Sequence, residues 1–315
     1  MQNNQVYDSI IVGGGIAGLS ASMYGARFNR KVIVISQMPG GTISTTHIVE
    51  NYPPIKSISG LELANKFLDH AKEYGVEVVM ETVSSIVKKD DGLFEIKSGS
   101  DLYVGKTIIY GAGTQWRKLA VAGEKEFANK GVHYCALCDG AFYKNKIIAV
   151  VGGGDSALKE SLLLAQYASH VYILARKDKV RAEPINLQRV LSNPKIEILT
   201  NVEVKEFLGT QKLEKLKLSR AVKTKNSDIS SDILEVNGAF VLIGHVPNTQ
   251  LAKDLGVTLD LHSSIIVDKL GRTNIEGFFA CGDCTDLEVK QAIISAAQGV
   301  SCAYAMDQYL KKSAI

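Results

Sequence analysis

Two stretches decide the reading: Asp8-Ser-Ile-Ile-Val-Gly-Gly-Gly-Ile-Ala-Gly18 and Lys146-Ile-Ile-Ala-Val-Val-Gly-Gly-Gly-Asp-Ser-Ala157. Each opens on a short β-branched run with the character of a buried parallel strand. Each run ends in a glycine cluster that opens a helical pattern, Leu19 to Arg27 in one case and Leu158 to Tyr167 in the other. A second apolar strand follows each helix, Lys31-Val-Ile-Val-Ile35 and His170-Val-Tyr-Ile-Leu174. The order β–glycine turn–α–β therefore occurs twice, at Gly13 and at Gly152, 152 − 13 = 139 residues apart. The fold class expected is α/β with two Rossmann-like nucleotide-binding domains.

The spacing Gly13-x-Gly15-x-x-Gly18 has a physical purpose. Gly13 permits the tight turn, Gly15 lets the backbone approach a pyrophosphate, and Gly18 allows helix and strand to pack closely. The diphosphate would then meet free N–H groups at a helix N-terminus. The following strand runs into Ser36, so no carboxylate there would take an adenosine ribose. The second fingerprint is Gly152-x-Gly154-x-x-Ala157, with Asp155 and Ser156 inside it. Its following strand ends in Ala175-Arg176-Lys177-Asp178-Lys179-Val180-Arg181. A carboxylate at that strand end would repel a 2′-phosphate, whereas Arg accommodates one. Arg176, Lys177 and Arg181 thus point to NADPH over NADH, against the plainer reading of a solvated basic turn.

Between the fingerprints lies Cys135-Ala-Leu-Cys138-Asp139. Two cysteines at this spacing can close a small exchangeable disulfide. Half of a zinc site and two inert core cysteines are the competing readings. Zinc needs about four ligands, and the only histidine close in sequence is His133. Asp139 is a candidate proton donor to a leaving thiolate, or a helix cap. Cys281 and Cys284 could form a second redox pair or pack as small hydrophobes, and Cys302 falls on the apolar face of a helix running from Gln291 to Leu310. Asp283, after the strand Gly277-Phe-Phe-Ala280, could accept flavin ribityl or ribose hydroxyls or cap a helix.

The chain has 315 residues, 46% hydrophobic and 22% charged, which excludes disordered, collagen-like and disulfide-stapled classes. Lys plus Arg is 36 against 33 for Asp plus Glu, too even a balance to indicate nucleic acid as a partner. Met1 to Asp8 is polar and the apolar run behind it is broken by glycine, unlike a secretory leader. No stretch of about 18 residues is free of polar groups, so no membrane span is expected, and the cytoplasm is the expected location. Lys212 to Asp232 reads as polar hairpins on a solvated face. The segment after Gly271 has no fingerprint of its own, so it completes the first domain. The domains expected are 1–114 with 247–315, and an inserted 115–246.

In this order, the motifs resemble the low-molecular-weight thioredoxin reductases over nearly the whole length. The resemblance rests on Gly13 to Gly18, Gly40-Gly41, Val49-Glu-Asn51-Tyr-Pro53, Cys135 to Gly140, Gly152 to Ala157, the Arg176 to Arg181 cluster, Ile243 to Thr249, Gly282-Asp283 and Gln291-Ala292. It implies FAD in the first domain, held by Gly13, Gly15, Gly18, Gly41, Thr42, Asn51, Asp283, Gln291 and Ala292. It implies NADPH in the second, held by Gly152, Gly154, Asp155, Ser156, Ala157, Arg176, Lys177 and Arg181, and no metal. Hydride would pass from NADPH to FAD, and electrons on to the Cys135–Cys138 disulfide. Cys138 would face the flavin, and Cys135 would attack the disulfide of thioredoxin or a thioredoxin-like protein. A homodimer is also implied. Thr42, Ala175, Lys177, Lys290, Cys281 and Cys284 depart from the family pattern. A related thiol oxidase, a ferredoxin-fed disulfide reductase and a non-catalytic nucleotide sensor are the alternatives.

Overall fold

The computed structural model describes residues 5–225 and 227–312, with the side chains of 227–230 left aside. The reading of Met1 to Asp8 as polar therefore lies partly outside the described residues. Strands β1 to β17 and helices α1 to α7 are numbered along the chain. The chain divides into two compact units. Unit 1 comprises Met1–Gln115 and Val246–Ile315, and unit 2 comprises Trp116–His245.

Unit 1 is built on a sheet whose parallel part runs β3 (Glu77–Val79), β2 (Val32–Ile35), β1 (Val6–Val12), β6 (Asp101–Tyr110), with β17 (Phe278–Ala280) parallel on the far side of β6. The antiparallel strands β5 (Phe94–Ser98) and β4 (Val83–Lys88) extend it. Ile10, Ile11, Ile33, Val34, Ile108 and Ile109 are fully buried, as expected for strands covered on both faces. Helix α1 (Ile16–Arg27) starts at Ile16 rather than Leu19 because Gly15 already occupies its N-cap. Helix α7 (Ala292–Lys312) crosses α1 closely: a Cβ on Gly299 would collide with the Ala17 carbonyl. Helix α2 (Gly60–Glu73) is capped by Ser59, whose side chain accepts the Glu62 N–H at 3.1 Å. Such a cap is worth about 1 kcal/mol.

Unit 2 repeats the plan. Its all-parallel sheet runs β11 (Ile196–Thr200), β10 (His170–Ala175), β9 (Ile147–Val151), β15 (Gly238–Val241), β8 (Val132–His133). Helix α4 (Asp155–Tyr167) follows β9 as α1 follows β1. The correspondence reaches single contacts. A Cβ on Gly13 would strike the Gly111 carbonyl beyond β6, and one on Gly152 would strike the Leu242 carbonyl beyond β15. Gly13 and Gly152 both have positive φ, +101° and +149°. The strand order reverses between β1 and β6 and between β9 and β15, where open α/β sheets bind ligands.

The segment Lys212 to Asp232 pairs as antiparallel hairpins, as read, but it is not confined to a solvated face. It lies in a three-stranded antiparallel sheet of β12 (Val204–Gly209), β13 (Leu213–Thr224) and β14 (Ser227–Glu235), with Asn226 outside the described residues. One face of that sheet is core: Leu213, Leu216, Leu218 and Val222 are buried. The segments joining the units, β7 (Thr114–Trp116) and β16 (His245–Pro247), pair with each other. Short helices complete the chain: α3 (Ala136–Asp139), α5 (Pro184–Leu191) and α6 (Gln250–Asp254).

Candidate functional site

Each unit carries a candidate site of its own. In unit 1, a cavity of about 740 Å³ opens over the C-terminal ends of β1 and β6. That is within the usual range for small-molecule and cofactor sites. Gly13, Gly15, Gly41, Thr42, Asp283, Gln291 and Ala292 line it. Gly18 lies behind the wall, where a Cβ would collide with the Gly13 carbonyl. Asn51 is also off the wall, but its Nδ2 donates to Gln291 Oε1 at 3.0 Å and so holds a lining side chain.

Gly15 shows what the cavity is shaped for. Its φ is an ordinary −73°, and a Cβ built there meets nothing nearer than 3.9 Å. Neither backbone conformation nor the packing of this chain demands glycine at that position. What a side chain would fill is the space at the start of α1. That helix has no side-chain cap and no acidic residue in its first turn. Its free N–H groups and dipole favour an anion such as a diphosphate. The turn at Gly40 is fastened alongside, with the Gly40 N–H donating to the Gly14 carbonyl at 2.7 Å. Asp283 accepts a hydrogen bond from Ser295 Oγ at 3.2 Å and keeps acceptor capacity for a ligand hydroxyl. These residues fit FAD. Sequence reading found no acid for the adenosine end because it looked only to the end of β2. Ser36 and Gln37 line the cavity there together with Glu81, which comes from beyond the neighbouring strand β3.

In unit 2, Gly154 repeats the Gly15 observation: it is the N-cap of α4, its φ is −93°, and a Cβ there would meet nothing within 4 Å. Ser156 is exposed beside it and Ala157 is buried against the sheet. Asp155 is committed to the fold, accepting the Glu183 N–H at 2.9 Å and the Asn186 amide at 2.8 Å. The basic turn is fastened to the glycine turn, because the Arg181 N–H donates to the Gly153 carbonyl at 2.6 Å. Arg176, Lys177 and Arg181 are exposed. A cradle open at Gly154 and bordered by three cations fits NADPH.

Cys135 and Cys138 form a disulfide at the start of α3. Cys138 is the exposed member and Cys135 is buried. The Cys138 N–H donates to Cys135 Sγ at 3.1 Å, and a thiolate at Cys135 would be stabilised by that bond. Exposure favours Cys138 as the sulfur a partner reaches first, whereas the hydrogen bond favours Cys135 as the thiolate. The thiolate is the nucleophile, so the hydrogen bond carries more weight. Glu160 on α4 accepts the Ala136 N–H at 3.1 Å, and burial pushes its carboxyl up to about 7. Sequence reading missed Glu160, since nothing in a helical pattern singles out one carboxylate. Phe142, a few residues past the pair, is 71% exposed.

The remaining cysteines are free and buried. Burial pushes the Cys284 thiol up to about 12, and its Sγ donates to the Cys281 carbonyl at 3.3 Å. Cys281 shares a sulfur hydrogen bond with Cys302, which with burial raises its thiol well above the ordinary range. Cys281 and Cys284 are buried with raised thiols and are not bonded to each other, so the second redox pair considered from the sequence gains no support.

The model of the pyridine nucleotide-disulphide oxidoreductase family matches residues 7–299. Thioredoxin reductase of Bacillus subtilis is 36% identical over 314 residues, spanning 99% of this chain and 97% of that protein. Among solved structures, Lactococcus lactis thioredoxin reductase is similar with a TM-score of 0.90 and 34% identity, over 97% of this chain and 99% of that one. The thioredoxin reductase of T. acidophilum gives 0.89 and 33%, over 98% and 100%. With two Rossmann-like units and a Cys-x-x-Cys disulfide in the second, the chain belongs to the pyridine nucleotide-disulphide oxidoreductase family, among the low-molecular-weight thioredoxin reductases.

Proposed function

We propose that the chain is an NADPH-dependent thioredoxin-disulfide reductase. Unit 1 would hold FAD through Gly13, Gly15, Gly18, Gly41, Thr42, Asp283, Gln291 and Ala292, with Asn51 steadying Gln291. Unit 2 would hold NADPH through Gly152, Gly154, Ser156, Ala157, Arg176, Lys177 and Arg181, with Asp155 bracing the turn. The carrying observation is the Cys135–Cys138 disulfide in the same unit as the open Gly154 turn and its basic border. When bound, FAD supplies two-electron transfer between a nicotinamide and a disulfide. The chain's own residues do the exchange chemistry. Cys135 is the nucleophile, Cys138 closes the ring again, and Asp139 is the proton donor to the leaving sulfur.

The exposed Phe142 ring favours a protein partner, thioredoxin or a thioredoxin-like protein, because a small thiol needs no apolar docking surface. The functional unit is a homodimer, as in the family the chain resembles. No helix among the described residues is long and apolar enough to cross a membrane. A cycling disulfide in a chain that also keeps three thiols free suits a reducing compartment, the cytoplasm.

The test follows NADPH and NADH oxidation in the presence of oxidised thioredoxin. Wild type turns over, and with Arg176→Ala plus Arg181→Ala the KM for NADPH rises by about tenfold to a hundredfold. The KM for NADH stays nearly constant. An equal loss for both nucleotides would show that the basic turn does not read the 2′-phosphate.

A further inference from the structure

Three titratable side chains of unit 2 meet beside the redox pair. His133, on β8, is only 6% exposed. Its Nε2 lies 2.7 Å from the Tyr143 hydroxyl, and its Nδ1 lies 3.0 Å from Asp139 Oδ2. The Nδ1 approach is short but out of line, so this buried nitrogen has no aligned hydrogen-bond partner. Turning the Asp139 carboxylate would complete the bond. Phe240 stacks on the imidazole with ring centroids 5.4 Å apart, which holds its plane.

Burial, helped by the Asp139 charge, pushes the Tyr143 phenol up to about 12. A phenol kept neutral has a proton to donate. With the phenol donating to Nε2, the imidazole carries a proton on Nδ1, the nitrogen that faces Asp139. The other charged groups close by are Lys146, whose Nζ lies 5.6 Å from the centre of the Tyr143 ring, and Glu160, engaged by the Ala136 N–H.

We propose that His133 is a positioning residue for Asp139: its Nδ1–H occupies Oδ2, so that the proton Asp139 delivers to a leaving sulfur is carried on Oδ1. This rests on the exchange reaction proposed above. The chemistry balances as follows. The pair, reduced by two electrons from NADPH, presents Cys135 as a thiolate whose proton has gone to water. Cys135 attacks one sulfur of the partner disulfide, forming a mixed disulfide and breaking the partner's S–S bond. The departing sulfur takes its proton from Asp139. Cys138 then gives its proton back to Asp139 and attacks Cys135 Sγ, re-forming the Cys135–Cys138 disulfide. The second partner sulfur leaves and takes a proton from water. His133 donates to the Asp139 carboxylate at the moment charge appears on it, which is where a fixed donor lowers a barrier.

The test uses holoenzyme reduced anaerobically with NADPH and two small disulfides. Hydroxyethyl disulfide releases a basic thiolate that needs a proton. The aromatic disulfide of a nitrobenzoate thiol releases an acidic one that needs none. His133→Phe is expected to slow exchange with hydroxyethyl disulfide by about tenfold or more and leave the aromatic disulfide within about twofold. His133→Asn puts an amide N–H near the place of Nδ1 and should recover most of the rate. Tyr143→Phe, nearly isosteric, should show the same selective slowing to a smaller degree. It keeps the question open to test if a variant at the buried His133 folds poorly. Slowing of both disulfides alike, or of neither, would overturn the assignment. Wild-type turnover with oxidised thioredoxin is measured alongside. Its absence, with hydroxyethyl disulfide still exchanged, would overturn the partner and leave His133 to be judged on the small disulfides.

Discussion

Cys138→Ser is expected to reduce oxidised thioredoxin at least about a thousandfold more slowly than wild type, while NADPH still bleaches its flavin. The split follows from where the residue sits. Cys138 is the exposed sulfur of a disulfide in unit 2, outside both glycine fingerprints. A serine hydroxyl cannot form the S–S bond that stores the electron pair, so the chain loses its exchangeable dithiol and nothing else. Folding should survive. The cysteines are three residues apart, and closing so short a loop stabilises the fold by about 2 kcal/mol at most. The check is anaerobic flavin reduction by stopped flow, run beside thioredoxin-dependent NADPH oxidation. Full turnover in the mutant would remove the Cys135–Cys138 pair from the reaction.

Gly15→Val should yield a folded protein that has lost its flavin. The reasoning separates Gly15 from its neighbours in the fingerprint. Side chains at Gly13 or Gly18 would strike backbone carbonyls, so substitution there damages the fold and says little about the ligand. Gly15 has φ of −73° and open space where its Cβ would stand. A Cβ there meets only the Gly41 Cα, at 3.9 Å, and the valine branches beyond it would stand in the mouth of α1. Losing the N–H contacts to a diphosphate there would weaken FAD binding by about a thousandfold or more. Flavin content of the purified protein, with circular dichroism as the folding control, decides the matter. Stoichiometric FAD in the mutant would mean that the diphosphate is held elsewhere.

Sequence resolved the parts of this molecule whose signals are local. Each strand–glycine–helix unit is contiguous, so Asp8 to Gly18 and Lys146 to Ala157 announced both sheets and both cradles. The closely spaced Cys135 and Cys138 announced the disulfide in the same way. What escaped depends on contacts between distant segments. Glu81 joins the cavity wall because β3 lies beside β2. Asn51 supports Gln291 from 240 residues away. Glu160 differs from other helical carboxylates only because the turn at Ala136 packs on it. His133 stands six residues before Asp139, but only the turn through Cys135 brings Nδ1 and Oδ2 within 3.0 Å. The buried face at Lys212 to Asp232 was missed for another reason. The segment's charged residues dominate the composition, while Leu213, Leu216, Leu218 and Val222 hide on one face. Alternation along a strand, rather than composition, was the signal available there.

The most direct test of the central claim, that a flavin and the Cys135–Cys138 disulfide share electrons drawn from NADPH, is an anaerobic titration of the purified protein. NADPH and NADH are added separately while the flavin spectrum is followed. Bleaching by NADPH with uptake of about four electrons per subunit, two for the flavin and two for the disulfide, is the expected result. No bleaching by either nucleotide would contradict it, leaving the Gly154 turn without a donor and dithiols or ferredoxin as the next to try.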